Sequence, residues 1–306
     1  MKRRTFFSTL LSIPLLNKYL RELSIIQESK IFSFKYSICN EIFNGWSLDK
    51  ISKFIKPLGY DSLEIAPYTI CEDASNLSPA KRLELKRLME DNGVVCSGLH
   101  WLFVSPKGLH ITTSDKNIRK KSWEYFKKLI DFCEEIGGKF LVLGSPQQRK
   151  SEGTSTKEAV INLKKGLLEI APFAQKHNVL ILLEPIAKDC DVIISMAEAV
   201  NLVKEINHPS IQTMLDIHHS INDPEPIDKL IYKYSQYIKH IHINELDGNI
   251  PGSGDTDFLP ILNAIKNINY KHWISLEVFD FSSGPEKIAI DTMKYIKSIE
   301  KKLQLK

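Results

Sequence analysis

The stretch "IKHIHINELDG", residues 238–248, sets two histidines two residues apart in a run that otherwise reads as a strand. Side chains alternate between the faces of a strand, so His240, His242 and Asn244 share one face while Ile241 and Ile243 take the other. Three further apolar runs end on a carboxylate: "ILLEP" on Glu184, "TMLDIHH" on Asp216 and "ISLEVF" on Glu277. In each of the four runs the preceding residue (Leu183, Leu215, Ile241, Leu276) is apolar and expected to face away from the polar one. Taken singly, a strand-end acid is commonly a helix cap or an ion-pair partner, and a lone strand histidine a hydrogen-bonded core group, the plainer reading for His240. Taken jointly, three carboxylates on one rim would repel and raise one another's pKa, and a divalent cation removes that repulsion. Oxygen-rich ligation with one imidazole suits manganese, magnesium or cobalt better than a thiolate-type zinc site.

Such residues meet only if a scaffold brings the four strand ends together. Beyond about residue 31, eight short β-rich runs, starting near residues 32, 61, 94, 140, 179, 211, 238 and 273, alternate with helical patterns. Ser155 to Glu158 and Ser195 to Glu198 have the spacing of capping boxes, in which hydroxyl and carboxylate satisfy free backbone N–H groups at a helix start. Between residues 114 and 138, Ile118, Ser122, Phe126, Leu129, Ile130 and Cys133 recur at helical spacing before Gly137 and Gly138. Gly59 and Gly93 punctuate earlier helical patterns in the same way. Eight strand–helix units predict an α/β fold, a closed (β/α)8 TIM barrel, formed as one domain by residues 32–306 behind an N-terminal extension, 1–31. A doubly wound open sheet would want a Gly-rich first turn, and "CNEIFNG" is not one. In a barrel of this kind the active site lies at the C-terminal ends of the strands, where the four residues sit.

The bulk composition agrees with a globular protein. The 306 residues are 43% hydrophobic and 25% charged, with a net charge of +4 and scattered lysines, so no stripe suited to a phosphate backbone is present and nucleic acid is not an expected partner. Cys39, Cys71, Cys96, Cys133 and Cys190 make neither a C-x-x-C pair nor a disulfide framework, and most of them read as small buried hydrophobes. The head "MKRRTFFSTLLSIPLLNKYL" resembles a twin-arginine export signal, with an apolar run too short to span a membrane. No small-x-small cleavage site follows it, and an amphipathic extension packed on the domain is the alternative. A functional signal implies a periplasmic protein; otherwise it is cytoplasmic.

The combination of "EP" at Glu184, D-x-x-H at Asp216 and His219, H-x-H at His240 and His242, and "SLE" at Glu277 resembles the xylose isomerase-like barrel superfamily. Within it the chain looks most like the sugar phosphate isomerase/epimerase branch, which includes the ketose 3-epimerases and hydroxypyruvate isomerase-type proteins. "LEIAP" around Glu64, "SGLHWLFVSPKGLH" from Ser97 and "GSPQQR" from Gly144 extend the likeness over roughly residues 32–300. The resemblance implies one divalent metal ion held by Glu184, Asp216, His242 and Glu277, with Glu184 and Glu277 also acting as acid and base on opposite faces of the substrate. It implies a small-molecule keto sugar, sugar phosphate or hydroxy-keto acid as substrate, isomerised or epimerised through an enediolate, and a related lyase could use the same intermediate. His219, His100 and Glu64 are expected to contact the substrate, and Arg149 to clamp an anionic group. A homo-oligomer is compatible with this reading. In two places the chain departs from the ketose 3-epimerases: Cys190 stands where they carry a second acid, and Gly248 where they carry an arginine.

Two rival functions remain open at this level. A non-catalytic barrel that binds a sugar or sugar acid would account for those two departures. The abasic-site endonucleases of the same superfamily resemble the chain at Glu184, Asp216, His219, His242 and Glu277, but need three metals and an Asp-x-His motif. Here the corresponding loop reads Asp255-Thr256-Asp257, without the histidine.

Overall fold

A computed structural model describes residues 34–304 of the chain. The expectations for residues 1–31, an extension or export signal, lie outside the described residues.

Eight parallel strands close into a barrel in chain order. They are β1 (Lys35–Cys39), β2 (Ser62–Ile65), β3 (Val95–Leu99), β4 (Phe140–Leu143), β5 (Leu180–Leu183), β6 (Ile211–Asp216), β7 (Ile238–Ile243) and β8 (Trp273–Leu276). Strand β8 pairs back onto β1 through Tyr36 and Ile274, which closes the ring. All eight β-rich runs of the sequence become strands. The principal helix after each strand is α1 (Leu48–Ile55), α2 (Pro79–Glu90), α3 (Lys116–Glu135), α4 (Thr156–Lys176), α5 (Met196–Ile206), α6 (Ile227–Tyr234), α7 (Phe258–Asn267) and α8 (Pro285–Gln304). No helix among the described residues is long and apolar enough to cross a membrane.

Local chemistry accounts for the boundaries. Ser155 and Ser195 accept the backbone N–H of Glu158 and Glu198 at the starts of α4 and α5. The return arm of the second box reaches one residue further than expected, Glu198 accepting from Ile194 N at 2.7 Å. Along α3 the buried face carries Ser122, Phe126, Leu129, Ile130 and Cys133, five of the six residues whose spacing marked it, and Ile118 is half-buried. Strands β4 (FLVL) and β5 (LILL) are apolar throughout, as expected of strands wrapped on both sides.

The lumen is divided. One side is apolar, with Phe140, Val142, Leu182 and Met214 packed together and Leu180 and Trp273 against them. The other side is polar, and its hydrogen bonds join strands that are not neighbours in the sheet. Ser37 on β1 lies 3.0 Å from Ser97 on β3, and His240 on β7 lies 2.8 Å from Glu64 on β2. Such bonds must cross the interior. His240 also stacks on Phe140, with ring centroids 4.3 Å apart, and so marks the boundary between the two sides.

Candidate active site

The four strand-end residues converge. His242 Nδ1 lies 2.8 Å from Glu277 Oε2, 3.5 Å from Asp216 Oδ2 and 3.6 Å from Glu184 Oε1. One ligand atom from each of the four falls within 4.8 Å of all the others. The register explains why: Asp216 pairs with His242 across β6 and β7, and His242 with Ser275 across β7 and β8, two residues before Glu277. All four side chains are buried. Despite its near neighbours, His242 Nδ1 makes no hydrogen bond, and neither does Asp216 Oδ2. Buried polar atoms are ordinarily paired, and these two unpaired atoms aim at the same point as two further carboxylates. The donor set therefore fits a divalent cation bound by oxygen and one imidazole nitrogen.

A second layer holds these groups in place. Glu64, wholly buried, accepts from both ring systems of the H-x-H motif: Oε1 lies 3.1 Å from His242 Nε2 and Oε2 2.8 Å from His240 Nε2. A carboxylate behind a ligating imidazole fixes its ring orientation and leaves the opposite nitrogen free for the metal. Asp216 Oδ1 accepts the backbone N–H of His219 at 3.3 Å, which leaves Oδ2 for the cluster. Gly144, just past β4, is required by close approach: a Cβ there would lie 2.1 Å from Glu184 Oε2.

The electrostatics separate the two glutamates. Burial raises the Glu184 carboxyl above its ordinary range, opposed by the nearby His242 ring and reinforced by the charge of Glu277. Burial acts on Glu277 as well, but His242 and His100 overcome it and hold that carboxyl well below the usual range. Burial would lower His242, yet the charges of Glu277 and Glu64 keep it well above the ordinary imidazole value. Glu64 is likewise held low by His240 and His242 against its burial.

A cavity of ≈ 280 Å³ opens over the cluster, with His100, Trp101, Glu184, His219, His242 and Glu277 in its wall. His100 and His219 are thus placed where substrate contact is expected, and His219 Nδ1 has no partner. Two expectations need correction. Glu64 does not reach the cavity, because both its oxygens are engaged beneath it, by His240 and by the inner nitrogen of His242. Arg149 is fully buried and absent from the cavity wall, donating from Nη1 to Leu143 O at 2.9 Å out of the helical turn Pro146–Arg149, while its Nε and Nη2 have no hydrogen-bond partner. The two departures also find a setting. Cys190 bonds back to Val192 O and lies outside the wall, while its neighbours Lys188 and Asp189 line it. At Gly248 (φ 87) a Cβ would meet Phe279 at 2.6 Å, and Phe279 stacks 5.0 Å from His218 in the cavity wall.

Sequence reasoning missed several of these wall residues. Trp101, Ser145 and Asp189 line the cavity in left-handed backbone conformations (φ 50, 51 and 61) that non-glycine residues seldom adopt, so the loops after β3, β4 and β5 are strained where they meet the cavity. No sequence pattern marks such a residue. Asp255 and Asp257 belong to none of the candidate metal groups among the described residues. Asp257 caps α7 instead, and the loop is gathered by buried Glu245, which accepts from Gly252 N and Thr256 N at 2.7 and 3.2 Å.

A family model described as "Xylose isomerase-like TIM barrel" matches residues 53–299. A probable ketose 3-epimerase from Synechocystis sp. is 24% identical over 240 residues, covering 74% of this chain and 76% of the relative. A D-psicose 3-epimerase from Ruminiclostridium cellulolyticum is 25% identical over 246 residues, covering 76% and 77%. Among solved structures, the apo form of 3-keto-D-glucoside 4-epimerase from E. coli superposes with a TM-score of 0.76 at 17% identity, covering 87% of this chain and 100% of that one. At that identity the likeness establishes the fold alone.

Proposed function

Because the chain belongs to the xylose isomerase-like TIM barrel family, we propose that it is a divalent-metal-dependent isomerase or epimerase of a keto sugar, sugar phosphate or hydroxy-keto acid. The observation that carries this reading is the convergence of Glu184, Asp216, His242 and Glu277 within 4.8 Å at the floor of an open cavity. The names of the two relatives, a ketose 3-epimerase and a D-psicose 3-epimerase, support the reaction class.

Glu184, Asp216, His242 and Glu277 would hold the ion. Bound there, manganese, magnesium or cobalt would polarise a carbonyl and its neighbouring hydroxyl and so acidify the C–H bond between them. The chain's own residues do the rest. Glu277 takes that proton through Oε1, the oxygen turned away from His242, and the substrate passes to an enediolate. Glu184, across the cluster, returns a proton. Delivery to the opposite face of the same carbon inverts it; delivery to the adjacent carbon moves the carbonyl. His219 and His100 contact the substrate oxygens from the wall, and buried Glu64 keeps His242 from turning.

Solvent deuterium tests the proposal. Wild-type protein loaded with Mn2+ is expected to exchange one carbon-bound hydrogen of a keto sugar, followed by NMR, and Glu277→Gln to slow that exchange by about 10²- to 10⁴-fold, the usual range for a general base. Exchange at full rate in Glu277→Gln would remove Glu277 from its role. Cys190 and Gly248 favour a second reading, a sugar-binding barrel without catalysis, and tight sugar binding with no exchange by wild type would select it.

A further inference from the structure

Glu41 has no place in the cluster or in the cavity wall, yet it is a buried acid at the same end of the barrel. It lies in the 3-10 turn Asn40–Phe43 that follows β1. Asn40 fixes that turn against the segment after β2, with Oδ1 accepting Ala66 N at 2.8 Å and Nδ2 donating to Thr69 Oγ1 at 2.7 Å. From this anchored position Glu41 Oε2 lies 2.9 Å from His100 Nε2. The opposite nitrogen of the same ring, His100 Nδ1, lies 3.3 Å from Glu277 Oε1. Each nitrogen of one buried imidazole is therefore held by a carboxylate, one from the turn after β1 and one from just past β8.

We infer that Glu41 is a positioning residue: through His100 it fixes the Oε1 oxygen of Glu277, the oxygen that is to carry the proton, while Oε2 faces the metal position. The inference rests on the metal-site reading above. A carboxylate bound by one oxygen can still pivot, and a pivot would swing Oε1 off the substrate carbon. His100 opposes that pivot only if its own ring cannot turn, and Glu41 holds the far end of the ring. Stability alone does not explain the arrangement. A buried ion pair often contributes no more to folding than apolar residues of the same volume, and Glu41 Oε1 is left buried without a hydrogen-bond partner. What the pair supplies is a ring held at both ends beside Glu277.

The test is a double-mutant cycle read by calorimetric titration of the metal-free full chain with Mn2+, without substrate. Glu41→Ala and His100→Ala are each expected to weaken Mn2+ binding about 10-fold, at the lower edge of the effect of removing a group behind a metal ligand. The double variant should bind no more weakly than His100→Ala alone, because Glu41 acts only through that ring. Glu41→Gln keeps an oxygen that can accept from His100 and should recover most of the affinity. It also serves in place of Glu41→Ala if the smaller residue does not fold. In the exchange assay, Glu41→Ala should lower kcat with KM little changed, since the residue touches no substrate. Losses that add in the double variant, or unchanged Mn2+ affinity in Glu41→Ala, would overturn the inference. A wild-type chain that binds no Mn2+ would overturn it together with the metal-site reading. Mn2+ binding with the coupling intact, but no exchange of substrate hydrogen, would support the positioning role and overturn only the proposed reaction.

Discussion

The two halves of the barrel contribute to the site in different ways. Strands β5 to β8 deliver the four candidate ligands, each at or just past a strand end: Glu184, Asp216, His242 and Glu277. Strands β1 to β4 deliver none of them. They deliver what holds and surrounds them: Glu64 behind His242, the Glu41–His100 pair beside Glu277, and Gly144 giving room to Glu184. The left-handed residues Trp101 and Ser145, after β3 and β4, build part of the wall. The lesson is that the candidate ligands come from four consecutive strands and their supports from the other four. Ligands on neighbouring strands share a register, so their convergence follows from pairing; their supports come from the far side of the lumen, at distances set by how the barrel closes.

The comparison can be broken most severely from the ligand half. Asp216→Asn keeps the oxygen that accepts His219 N but removes the charge aimed at the cluster. It is expected to weaken Mn2+ binding by more than about 100-fold, beyond the range typical of supporting residues, and titration calorimetry would show it. A loss smaller than that of Glu64→Gln would mean that the halves do not divide the work in this way.

The supporting half should give a smaller, graded effect. In Glu64→Gln the amide NH2 cannot accept a hydrogen bond, so either His240 or His242 loses its partner. Mn2+ affinity should fall about 10- to 100-fold, with the fold retained by circular dichroism. An affinity equal to wild type would show that His242 needs no help from across the lumen.

The smallest effect is one of pH, and it links the two halves. Burial opposes the charged ring of His242, but Glu277 and Glu64 outweigh it and hold its pKa above the ordinary imidazole value. The metal requires the neutral ring. A proton must therefore be displaced whenever the pH lies below the raised pKa, and Mn2+ affinity should climb as pH rises, by up to about tenfold per unit, then level off once His242 is neutral. Glu64→Gln removes one of the charges that raise it, so the levelling-off should move to lower pH. Titrations at a series of pH values would show a fixed or upward-moving break if Glu64 does not act on His242.

Much of the fold and the inner set of the site could be read from residue order. The eight runs became strands because apolar β-branched stretches bounded by caps and turn residues leave few other local solutions, and Ser155 and Ser195 started helices where their spacing placed them. Alternation within "IKHIHIN" placed His242 toward the interior, and the same rule placed the acids. Reading failed at Glu64 and Arg149. Each sits near a strand end in a segment that looks suited to substrate contact, but Glu64 is drawn inward by two histidines on β7, and Arg149 turns back to its own strand's carbonyl. It failed also at Glu41, whose value lies wholly in a ring that arrives from β3.

Taken alone, the sequence determined which residues alternate inward, where strands stop and helices begin, and hence which side chains crown the rim. Those properties follow from backbone geometry over a few residues. Only the closed tertiary structure decided which oxygen faces which nitrogen across the lumen, which loops are strained into the wall, and which glycine must lack a side chain. Those depend on distances between segments far apart in the chain, and no short-range pattern encodes them.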